Sequence, residues 1–145
     1  MEKGTVMRGE SERGGPLEIR SKIWIERRGD GNVVLSEWRV DLLEAIDSHG
    51  SLSRAAEALD IPYRTAWERV KATEGEIGFR LLDSESGGLD GGGSRLTPEA
   101  RDLCRRFRRV SRGIQDVVSR RFAAEFGDGS EGAQSASSCD TNGTG

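Results

Sequence analysis

Apolar positions are sparse up to about Glu18 and become regular at Ile19. Ile23 and Ile25 alternate with Lys22, Trp24 and Glu26, Gly29-Asp30-Gly31-Asn32 supplies turn chemistry, and Val33-Val34-Leu35 follows, which predicts a short strand pair. Ser36 then stands where an N-cap hydroxyl is needed, with Glu37 in the electropositive first turn. Trp38, Leu42, Leu43 and Ile46 recur at helical spacing until His49-Gly50. Ser51 can cap a second, shorter helix whose stripe is Ala55, Ala56 and Leu59, ending near Asp60-Ile61. Two helices that cross steeply through a short turn need small side chains at the crossing, and the Ala pair meets that need.

Pro62 pre-sets the first turn of a third helix, expected over 62–77. Its pattern places Tyr63, Ala66, Trp67, Val70 and Glu74 on the inward side, with Trp67 in the core, and Arg64, Thr65, Glu68, Arg69 and Lys71 mostly outward. Phe79-Arg80-Leu81-Leu82 reads as a strand, Ser86 to Gly93 as a flexible glycine loop, and Ser94-Arg95-Leu96 as the returning strand, so 81–96 forms a wing. Thr97-Pro98-Glu99 combines an N-cap hydroxyl, a first-turn proline and a first-turn acid, the signature of a helix start. Leu96, Ala100, Leu103, Phe107, Val110, Ile114 and Val117 follow at alternating four- and three-residue steps, a heptad seam that wants a partner helix. The expected fold is mainly α with a small β wing: a winged helix-turn-helix at 19–96 and a long C-terminal helix at 97–126 for dimerisation. Disordered tails are expected at 1–18 and 127–145.

Composition sharpens this picture. Only 34% of the 145 residues are hydrophobic and 32% are charged, so the core must be concentrated in one domain. No apolar run nears the roughly 20 residues that span a bilayer and no secretory signal opens the chain, so a cytoplasmic protein without a membrane partner is expected. Two cysteines, Cys104 and Cys139, and one histidine, His49, suggest neither a disulfide framework nor a metal site, and no cofactor or small-molecule ligand is expected. The net charge of −3 disfavours a polyanion partner, but nine arginines between Arg95 and Arg121 face only Glu99, Asp102 and Asp116. A basic stripe is thus compatible with a net-acidic chain. No Ser/His/Asp set or paired carboxylates can be defended, and the glycine loop lacks the Lys-Ser or Lys-Thr of a phosphate-binding loop, so the chain is not expected to be an enzyme.

Gly50-Ser51-Leu52-Ser53-Arg54-Ala55-Ala56, with Leu59, Ile61, Tyr63, Ala66-Trp67 and Gly78, resembles the N-terminal domain of the ModE molybdate-responsive regulators. The glycine groups before Arg95-Leu96-Thr97 resemble that family's wing, and Lys22 to Glu26 its N-terminal strand. The LysR regulators share the Ala-Ala helix and the Leu-Thr-Pro exit. The resemblance covers roughly Ile19 to Val110 and implies a prokaryotic, dimeric transcription regulator reading pseudo-palindromic double-stranded DNA. Molybdate is bound by a separate C-terminal domain in that family, and this sequence runs into a polar tail there, so molybdate sensing is not implied.

In such a domain the third helix offers its outward residues to base edges in the major groove. Arg64 and Arg69 can donate to guanine, Thr65 can touch a thymine methyl, and Glu68 can accept from cytosine. Tyr63 can donate its hydroxyl to a phosphate, Ser51 and Ser53 open the second helix, Arg54 can clamp a phosphate, and Arg95 is the wing's backbone contact. The wing is otherwise acidic, with Asp83, Glu85 and Asp90, and 51–80 carries five basic against five acidic residues. A module that dimerises with another regulator and does not read DNA is therefore the competing reading.

Overall fold

The computed structural model describes residues 14–85 and 93–127. Most of the expected tails, and the glycine loop except Gly93, lie outside the described residues. The described residues fall into two units, one within Lys22–Arg112 and a second made of residues 14–21 with 113–127.

In the larger unit, β1 (Trp24–Glu26) pairs antiparallel with β2 (Val33–Ser36), Ile25 opposite Leu35. Gly29 and Gly31 take φ of 113° and 74° in the connecting turn, and Asp30 Oδ1 accepts from the Asn32 amide at 3.0 Å. Three helices follow: α1 (Glu37–His49), α2 (Leu52–Ala58) and α3 (Tyr63–Ile77). Ser36 caps α1 by accepting from the Arg39 amide, and Gly50 ends it at φ 82°. Ser51 caps α2 through the Arg54 amide at 3.0 Å. Proline has no side-chain oxygen, and Pro62 occupies the N-cap of α3 rather than its first helical position.

The core gathers Leu35, Val40, Leu42, Leu43 and Ile46 with Leu52, Ala55, Ala56, Ala66 and Val70. Ala55 and Ala56 are buried, as a tight crossing of α2 with its neighbours requires. On α3 the inward face is Ala66, Val70 and Thr73, not the expected stripe through Tyr63, Trp67 and Glu74. Thr73 is buried because Arg39 needs it: that guanidinium donates to Val33 O, Val34 O and Thr73 Oγ1, tying β2 to α3. Successive helical residues turn by about 100°, so a face centred on Ala66 and Val70 leaves Trp67 on the shoulder.

The wing strands are β3 (Leu82–Glu85) and β4 (Gly93–Leu96), antiparallel with Asp83 opposite Arg95. The first begins three residues later than the apolar run suggested, because Leu81 is drawn into the core. Its amide donates to Glu74 Oε2 at 2.8 Å, fixing the wing root to the end of α3. On the other side, Ser94 N donates to Gly50 O at 2.9 Å and Leu96 N to Asp47 Oδ1 at 3.1 Å. Thr97 then caps α4 (Pro98–Phe126) through the Ala100 amide, as its sequence predicts.

Within the larger unit α4 buries Ala100, Cys104 and Phe107 in the common core. Burial pushes the Cys104 thiol up to about 12, so it behaves as a small hydrophobe. Arg108 donates to Asp41 at 2.5 Å and to Glu44 at 2.8 Å, both on α1. The smaller unit holds Gln115, which accepts from Ser21 N and Oγ and donates to Ile19 O at 2.9 Å. Phe122 and Phe126 stack there, with ring centroids 4.9 Å apart.

Candidate nucleic-acid interface

Two helices joined by a short turn, followed by a strand pair, leave one surface of α3 uncovered. Its ridge is Arg64, Glu68 and Lys71, at steps of four and three residues, which puts them on one helical line. Arg64 and Glu68 pair at 3.1 Å with side chains 88% and 57% exposed. An ion pair so exposed is worth about 0.5 kcal/mol, so either member can be recruited elsewhere at little cost. Lys71 reaches Glu74 at 3.2 Å and places its ammonium 5.9 Å from the Trp67 ring centroid.

Trp67, expected in the core, is 46% exposed, and Tyr63 is 54% exposed. Both line a cleft of about 320 Å³ between α3 and the wing, together with Lys71, Arg80, Ser84 and Ser94. On the opposite shoulder Thr65 is half-buried, and Arg69, though exposed, lies 5.6 Å over the Trp38 ring of α1. Arg69 is therefore aimed along the domain's flank, away from the ridge. Ser53 and Arg54 are exposed on the first turn of α2, while Ser51 is occupied as its cap. Arg95 is exposed on β4, facing Asp83 across the strand pair and contributing to the field at Asp47.

The expected site residues thus separate into an outward group, Tyr63, Arg64, Glu68, Ser53, Arg54 and Arg95, and a flanking group, Thr65 and Arg69. Lys71, expected outward but not among the DNA contacts, joins the outward group, as do Arg80 and the exposed ring of Trp67, which were not expected there. Spacing carried a signal for Lys71, which lies two turns beyond Arg64 on the same line. Nothing in the pattern separates Trp67 from a core tryptophan, because that depends on Thr73 being buried.

Among the described residues no group of His, Cys, Asp or Glu could hold a metal ion, and no helix is long and apolar enough to cross a membrane. The order of elements, the crossing at Ala55 and Ala56 and the uncovered α3 define a winged helix-turn-helix. Residues 39–101 match the model of the bacterial regulatory helix-turn-helix protein family of LysR type.

Beyond that domain, the chain is similar to the molybdenum transport protein ModE of Azotobacter vinelandii, with 32% identity over 91 residues, covering 63% of this chain and 34% of that protein. It is also similar to the transcriptional regulator ModE of Haemophilus influenzae, with 37% identity over 65 residues, covering 45% of this chain and 26% of that protein. The match thus spans about a third or less of the length of these relatives. A solved CbnR_DBD–DNA complex aligns with a TM-score of 0.48 and 20% identity, covering 61% of this chain and 95% of that one.

Proposed function

We propose that this chain is a sequence-specific DNA-binding transcription regulator that binds double-stranded DNA as a homodimer in the bacterial cytoplasm and carries out no catalysis. The observation that carries the reading is the open α3 ridge, where Arg64, Glu68 and Lys71 project from a helix whose opposite face is locked into the core. An α-helix of that kind fits the major groove, and a side chain such as Arg64 can exchange its exposed carboxylate partner for guanine O6 and N7. Arg54, Arg80 and Arg95 would then meet phosphates on either side, with Tyr63 donating from the first turn of α3. The relatives named ModE support the regulator class, one of them being called a transcriptional regulator.

Homodimerisation is read from α4. Leu96, Ala100 and Phe107 of the expected seam are buried in the domain's own core, while Val110, Ile114 and Val117 are 55%, 40% and 48% exposed. A second copy of the helix would cover the exposed half.

Selection of binding sites from random duplexes, followed by anisotropy titration over a range of salt, tests the proposal. The expected result is a complex whose log-log salt slope steepens by about 0.9 for each phosphate neutralised. Arg64→Ala is expected to lose about 1–3 kcal/mol of discrimination at one base position, whereas Arg95→Ala weakens all sites alike. A protein that stays free of every duplex at low salt would instead be an interaction module, the reading favoured by the acidic residue Asp83 opposite Arg95.

A further inference from the structure

Trp67 is a large apolar ring beside a charged ridge, and the core has no use for it. The inward positions of α3 are filled by Ala66, Val70 and Thr73, yet an indole and a phenol four residues apart stand about half exposed on the shoulder facing the wing. Charged side chains surround them: Arg64, paired with Glu68, lies on the same turns, Lys71, paired with Glu74, sits 5.9 Å over the indole, and Arg80 lines the same cleft. An apolar surface bordered by cations that can exchange a carboxylate partner at little cost fits a partner that is apolar at one point and anionic around it.

The major groove of DNA has one apolar group, the C5-methyl of thymine, and it is flanked by phosphates. We infer that Trp67, with Tyr63 beside it, reads thymine through that methyl, making it a specificity-determining residue in addition to the hydrogen-bonding ridge. The inference rests on the DNA-binding reading above and goes further by assigning an A·T preference to a named side chain. In the bound state the indole edge packs against the methyl, while Arg64 and Lys71 on the neighbouring line engage a base edge and a phosphate. Removing one methyl from such a contact exposes about one CH₂ equivalent of apolar surface, which corresponds to an affinity loss of about fourfold.

Replacing thymine by uracil removes that methyl and leaves every hydrogen-bonding group in place. With the full chain and a duplex taken from site selection, each thymine is exchanged singly for uracil and the affinity measured for the wild type, Trp67→Ala and Trp67→Phe. The expected result is one or two positions per half-site where uracil weakens the wild type about fourfold, no difference between thymine and uracil for Trp67→Ala at those positions, and partial retention in Trp67→Phe. A wild type indifferent to uracil everywhere, or a Trp67→Ala variant with the same uracil penalty, overturns the assignment while leaving the regulator reading intact. Failure to bind any duplex overturns both. Because Trp67 is half exposed, its replacement should fold; should the alanine variant not do so, Trp67→Gln repeats the comparison with a bulkier side chain.

Discussion

Asp47 joins three elements through one carboxylate. It accepts from the Leu96 amide at 3.1 Å and from Arg101 through two contacts, each of 3.1 Å. The Arg101 hydrogen bonds hold its carboxyl below the ordinary carboxylate range, against the opposing effect of burial. A folded-state pKa lowered in this way stabilises the fold fully above the unfolded value of about 4, and that stabilisation is lost as the pH falls through the lower folded value. Thermal melts between about pH 6 and pH 2 are expected to show Asp47→Asn less stable than the wild type at the upper end, with the two curves converging below about pH 4. Parallel curves would place the acid sensitivity elsewhere. Charge partners of this kind, like the Arg39 hydrogen bond to Thr73, are not legible in the sequence. They join positions far apart in the chain, and no local periodicity marks them.

Elements were more legible than the contacts between them. Ser36, Ser51 and Thr97 each cap the helix that their position predicts, since capping is decided within four residues. Gly50 and Gly78 end α1 and α3 with φ of 82° and 92°, again a local property. Strand β3 was misplaced because Leu81 looks like part of an apolar strand but leaves the ladder to enter the core. The face of α3 was misjudged for a related reason: a buried threonine looks polar in a pattern, and a shoulder tryptophan looks like core. Along α4, Arg108 was one of many arginines in the sequence, yet it clasps Asp41 and Glu44 of α1 with a side chain only 23% exposed. Arg108→Ala is expected to cost about 1–3 kcal/mol, read as a lower urea midpoint with an unchanged slope, because two acids on α1 lose a charge-assisted donor. A loss within about 0.5 kcal/mol would mean that water replaces the guanidinium.

For the molecule as a whole, the heptad seam divides into a buried and an exposed half. Its first half was expected to await a partner and instead completes the domain core, which is why Phe107 is buried while Val110, Ile114 and Val117 are exposed on the same helix. The dimer proposed for the exposed half is tested by Val117→Asp and Ile114→Asp: sedimentation equilibrium is expected to give monomers with unchanged helical circular dichroism, and a persisting dimer would move the interface elsewhere. The fold class was readable because helix-turn-helix, wing and exit helix each carry local signals in a fixed order. The outward chemistry of α3 was only partly readable, since it depends on how far α3 is rotated about its own axis. Gly50 shows how closely the scaffold and that chemistry are joined. Its left-handed turn ends α1, and its carbonyl receives the Ser94 amide, so the place where the first helix stops also sets the height of the strand beside α3. Any backbone change that let α1 run on by a residue would carry the wing with it, shifting the surface offered beside the α3 ridge without touching a residue of that ridge.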